Sequence, residues 1–182
     1  MMGAITIFEK IKDKLFAACF EESDPLRDEL DKTLDFWRDL EQLREFFTHY
    51  REDLGKFDLT LKIKTAVKQV SEEAEEIYDH LIEFSENEKL NELFKPLDNR
   101  ELPQKPYELQ KLKARSGKRK GMLRLYAVKF RDWYVITGGA IKLTDQMDNR
   151  PHLKRELNKL EITRKYLQEG PNMEGTFVYL DI

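Results

Sequence analysis

The residues with the greatest capacity for chemistry lie between about Lys105 and Lys165. Residues 101–170 carry 17 Lys/Arg against 8 Asp/Glu, a net charge of +9. Within them, Arg115-Ser116-Gly117-Lys118-Arg119-Lys120-Gly121 puts four cations and two glycines in one short stretch. Such a loop suits nonspecific phosphate binding, with an affinity that falls steeply with salt. A block this basic can hold a polyanion even in a chain whose net charge is −3. Residues 1–100 run the other way, with 15 Lys/Arg against 25 Asp/Glu. The acidic half can therefore serve as a separate surface, or fold over the basic one and neutralise part of it.

Other chemistries leave no trace. The sequence has no Gly-rich phosphate loop, no Cys/His metal spacing and no Ser-His-Asp arrangement. Neither a metal nor a cofactor is expected. Glu72, Glu73, Glu75 and Glu76 are close in sequence, but consecutive helical residues fan around the axis, so they read as a solvated face. Cys19, the one cysteine, lies in the apolar run Leu15 to Phe20 and reads as a buried thiol. A reducing cytoplasm fits a single thiol. No apolar run has the ~18 residues of a membrane span, and Glu9, Lys10, Lys12 and Asp13 interrupt the only stretch resembling a signal peptide.

The elements that position these residues follow from periodicity. Residues 5–20 are ambiguous between a loose helical face (Ile5, Phe8, Ile11, Leu15) and a buried strand; 14–20 favours strand. Asp24-Pro25 is suited to open a helix. Leu30, Leu34, Trp37, Leu40 and Leu43 to Phe47 then recur as in an amphipathic helix pair, with a break near Thr33 and a stop at Gly55. Ile63, Val67, Val70, Ala74, Ile77 and Leu81 form the stripe of a helix over about 59–84. A short helical piece covers 88–94, and Pro96, Pro103 and Pro106 mark the boundary between an acidic, helical part (1–100) and a basic part (101–182) of one compact unit.

In the basic part, Tyr107 to Ala114 alternates like a strand. Met122 to Phe130 and Trp133 to Thr137 are stronger strands, and Arg131-Asp132 turns them into a hairpin. Gly138-Gly139 reads as a bulge. Lys142 reaches the end of the sheet, and a final helix runs from about Pro151 to Gln168, capped by Asp148 or Asn149, with Leu153, Leu157, Leu160 and Leu167 inward. The expected class is α+β: a small antiparallel sheet with N-terminal helices and a C-terminal helix packed on it.

Five short segments follow one another in a recognisable order: Tyr107-Glu108-Leu109, Arg124-Leu125-Tyr126, Val135-Ile136-Thr137-Gly138-Gly139, Lys142-Leu143-Thr144, and Pro151 through Glu156-Leu157. Together they resemble the RelE/ParE toxin superfamily, closest to its HigB-like, phage-derived branch. The resemblance covers about a third of the chain. It implies a small antiparallel sheet carrying helices, a bacterial source, cleavage of messenger RNA, usually on the ribosome, and a partner antitoxin. Members of that family are about half this length and basic throughout; the acidic helices here are additional.

Metal-independent RNA cleavage needs the 2′-hydroxyl to attack its own phosphate, with cations stabilising the phosphorane. The resemblance makes Arg124 the first candidate, as a bidentate phosphate clamp, and Lys142 the second. Tyr126 and His152 are candidates for proton transfer, His152 because it titrates near neutrality. Lys111, Lys113, Lys118, Arg119, Lys120 and Lys129 are candidates for holding the RNA backbone. Two other functions fit the same sequence. One is a non-catalytic nucleic-acid or ribosome-binding module. The other is a protein adaptor that works through the acidic helices.

Overall fold

A computed structural model describes residues 5–21, 24, 26–98, 100 and 106–169, with the backbone of 177–178. The chain opens on a hairpin, β1 (Ile5–Ile11) and β2 (Leu15–Phe20), turned through Asp13 at positive φ. The strand expected over 14–20 is present as β2, but residues 5–11 are strand as well, with no helical face. The reason is burial on both sides. Leu15 to Cys19 are all buried, so β2 lacks the alternation that marks a half-exposed strand.

Five helices follow: α1 (Glu29–Arg38), α2 (Leu40–His49), α3 (Arg51–Phe57), α4 (Ile63–Glu86) and α5 (Leu90–Leu93). Asp28, not Asp24, opens α1, its carboxylate accepting from the Leu30 and Asp31 amides. Asp24 instead closes a turn onto the Leu26 amide. The break in the helix pair is at Asp39, which caps α2 through the Glu41 and Gln42 amides, and not near Thr33. Gly55 lies within α3, which continues to Phe57.

The sheet adds β3 (Lys95–Pro96), β4 (Lys111–Ala114), β5 (Leu123–Phe130), β6 (Trp133–Ile141) and β7 (Phe177–Val178), with α6 (Pro151–Gln168) between the last two. Its order is β3-β4-β5-β6-β2-β1-β7. The block β3-β4-β5-β6 is antiparallel throughout, whereas β2 joins β6 in parallel and so attaches the N-terminal hairpin to the same sheet. The α+β class holds, with a larger and mixed sheet. Residues 107–110 form a turn rather than the start of β4, with Leu109 at positive φ.

Helices cover both faces. On one, Trp37, Leu43, Phe47, Val70 and Ile77 pack against Leu112, Leu123, Leu125 and Ile136. On the other, Leu153, Leu160 and Leu167 of α6 pack against Ile7, Phe16, Tyr126, Val128 and Val135. Leu157 is only half-buried. The expected bulge is real: Tyr126 faces Gly138 while Ala127 faces Ile136. Gly138 has φ 144°, and a Cβ there would collide with the Glu156 carboxylate. Gly139 lies against Thr33 and Trp37, which lets α1 approach the strand. Arg150 occupies the N-cap of α6 without a side-chain cap, while Asn149 accepts from Thr144.

Candidate anion-binding site

Residues directly opposite on antiparallel strands share a face of the sheet. Lys113 pairs with Tyr126, and Arg124 lies two residues before it, so all three side chains leave the sheet on the α6 side. β4 ends, β5 begins and β6 ends at the same end of the sheet. That end brings together Lys113, Arg115, Arg124 and Lys142.

Lys113, Arg124 and Lys142 are each depressed, first by burial and then by neighbouring cations. Burial, then Arg115, lowers Arg124 to about 10. Burial, then Arg124 and Arg115, lowers Lys142. Burial, then Arg115, Lys142 and Arg124, lowers Lys113 to about 8, against a smaller opposing pull from Asp98. Their hydrogen bonds go mainly to carbonyls. Arg124 Nη1 donates to Gly121 O at 2.9 Å and Leu123 O at 2.7 Å, Lys142 Nζ to Asp145 O at 2.7 Å, and Lys113 Nζ to Leu97 O at 2.8 Å. Among the described residues, Arg115, Arg124 and Lys142 make no salt bridge. The Arg124 Nε and the hydroxyl of the wholly buried Tyr126 have no hydrogen-bond partner among them. Burial raises the Tyr126 phenol, so it stays protonated and acts as a neutral donor. An anion at this corner would relieve the repulsion and satisfy the open donors.

The other candidates lie elsewhere. His152 sits at the start of α6. Its Nε2 is 2.9 Å from Ile141 O, an acceptor only, so Nε2 carries the proton and Nδ1 accepts from Tyr50 Oη at 3.1 Å. Burial lowers its pKa, and Phe46 packs edge-on at 5.2 Å. It pins α6 and the end of β6 to α2, beside the Asp53–Arg150 pair. Lys111 is bound to Glu161 at 2.6 Å. Lys129 is on the opposite face of the sheet, above the Tyr134 ring at 4.8 Å, where it donates to Arg131 O and borders a separate cavity of about 910 Å³.

The basic loop is clasped by the acidic helices. Lys118 pairs with Glu72 at 2.9 Å, and Lys120 with Asp58 at 3.6 Å, while Glu76 accepts from the Gly117 amide. Arg119 is exposed. Glu73 corrects the solvated-face expectation, since it is fully buried. Its Oε1 accepts from Gln69 Nε2 (2.7 Å) and the Met122 amide (3.0 Å), and its Oε2 from the Ser116 hydroxyl (3.0 Å) and the Leu123 amide (3.1 Å). The signal was available. Position 73 is three after Val70 and four before Ile77, so it lies on the apolar stripe. Glu156 has the same relation to Leu153 and Leu160. It is buried, bonded to Lys159 at 2.9 Å, and pushed up to about 7 by burial.

Compared with family models, with curated proteins and with solved structures, the chain finds no match in any of the three. Among the described residues no side-chain group is arranged to hold a metal ion, and no helix is long and apolar enough to cross a membrane.

Proposed function

We propose that this chain binds RNA through the phosphate backbone, with Arg115, Arg124 and Lys142 as the anion seat and Lys113 beside them. What carries the reading is the set of three like charges held at one end of the sheet without a salt bridge among the described residues. Cations kept together against their repulsion are preorganised for a phosphate, because the strain is relieved only when the anion arrives. The resemblance of residues 107–167 to RelE/HigB-like toxins supports RNA as the polyanion and an antitoxin as the protein partner. Binding is tested by fluorescence anisotropy of a labelled single-stranded RNA. Arg124→Ala should weaken it and make its salt dependence shallower while the fold persists, and equal binding by the variant would remove the reading.

Cleavage is a second reading, and Lys113 favours it. An ammonium lowered to about 8 can lose and regain a proton near neutral pH, as a general acid or base must. The 2′-hydroxyl would attack the adjacent phosphorus, the 5′-oxygen would leave with a proton, and a 2′,3′-cyclic phosphate would remain. Incubation with RNA in the presence of a chelator tests this. Intact RNA at concentrations that saturate binding would leave a binding protein and no toxin.

A further inference from the structure

Beside the cation corner, where β3 and the end of β4 meet α4 and α5, lies a cavity of about 250 Å³. Lys113 and Arg115 belong to its wall as well as to the cation cluster, so the cavity adjoins the phosphate seat. The exposed Lys95 adds a third cation to the wall, with Ser116 and Gly117 beside it, and the other walls are unlike that seat. Phe84 and Leu93 are apolar, and the His80 ring stands edge-on to Phe84 at 5.7 Å. Glu92 contributes an exposed carboxylate.

We propose that this cavity is a nucleobase subsite, taking the base of the nucleotide whose phosphate rests on Arg115, Arg124 and Lys142. The inference rests on the RNA-binding reading and gives it a base preference. Size is the first argument. The cavity falls below the roughly 300–1,000 Å³ that encloses a drug-sized ligand, which leaves room for one planar ring system. Surface is the second. Single-stranded RNA is held by cations along the backbone and by rings and apolar side chains against the base, and the two kinds of surface adjoin here. Chemistry is the third. An ionised carboxylate accepts hydrogen bonds and donates none, so Glu92 selects a base with an exocyclic amino group. Cytosine presents an amino group at the position where uracil presents a carbonyl oxygen.

The test uses the full chain, fluorescein-labelled hexamers of cytidine and of uridine read by anisotropy, and inorganic tripolyphosphate read by calorimetry. The wild type should bind the cytidine hexamer more tightly than the uridine hexamer. Phe84→Leu keeps the apolar packing but removes the ring. It should weaken both hexamers by about tenfold, the scale of one base–aromatic stack, and leave tripolyphosphate binding unchanged. Glu92→Ala, a surface change, should erase the difference between the hexamers. Hexamers that depend on Arg124 but bind alike, with no effect of Phe84→Leu or Glu92→Ala, would overturn the subsite alone. Hexamers that do not bind at all would remove the RNA reading and the subsite with it.

Discussion

Replacing Glu73 should cost more than replacing any other member of the acidic run on α4. The carboxylate takes four hydrogen bonds, two of them from the buried amides that start β5 and one from the buried Ser116 hydroxyl. Glu73→Ala leaves these three donors without an acceptor. At roughly 1–3 kcal/mol for each unsatisfied buried group, and allowing for relaxation and water entry, the loss comes to about 4 kcal/mol. Glu73→Gln keeps one oxygen but turns an amide N–H₂ towards the remaining donors, for a loss of about 2 kcal/mol. Glu75→Ala is the control. Its side chain is largely exposed and pairs with Arg38, and such a change stays within about 0.5 kcal/mol. Urea unfolding followed by circular dichroism gives the three values. A Glu73→Ala loss equal to that of Glu75→Ala would refute the assignment of Glu73 as the acceptor for β5.

Three further outcomes follow from the same geometry. Glu156 has a folded-state pKa raised from 4.5 to about 7, so its contribution to stability is fully present below pH 4.5 and is lost as pH rises through 7. The span is about 3 kcal/mol at 1.36 kcal/mol per unit, shared with Lys159. Thermal melts between pH 5 and 8 should show this decline, and Glu156→Gln should flatten it. Gly138→Ala should destabilise by about 2 kcal/mol or more in urea unfolding, because it joins a left-handed φ to a collision with Glu156. The double variant Lys118→Ala with Lys120→Ala should leave the salt dependence of RNA binding unchanged, since both lysines are already engaged by Glu72 and Asp58.

Much of the sheet could be read from the sequence because its signals are local. β5 and β6 are dense in β-branched and aromatic residues, Arg131-Asp132 supplies the turn, and Gly138 allows the bulge, so these segments appear where expected. α6 begins at Pro151 for an equally local reason. β1 was not legible, because its partners β2 and β7 decide its state from outside the segment. Helix caps were misplaced where one short chain segment offers several candidates, as Asp24 and Asp28 do.

The candidate site divides in the same way. Arg124 and Lys142 were named from the family resemblance, and the structure brings them together. Arg115 was read only as part of the basic loop, and only the fold shows it beside them. Lys118 and Lys120 looked like phosphate ligands because the sequence does not show which acidic residues lie across from a basic loop. Glu73 and Glu156 were hidden by their charge, although their spacing places each on a buried stripe.

Arg115, Arg124 and Lys142 are proposed to act together on a phosphate backbone. The logarithm of the RNA association constant, measured against the logarithm of salt concentration, tests it most directly. Three phosphate contacts on a single strand give a slope of about −2, at about −0.7 per contact. Each single alanine variant should make the slope shallower by about 0.7, and the triple variant should bind without salt dependence. A triple variant with the wild-type affinity and slope would show that these cations do not hold the phosphate backbone.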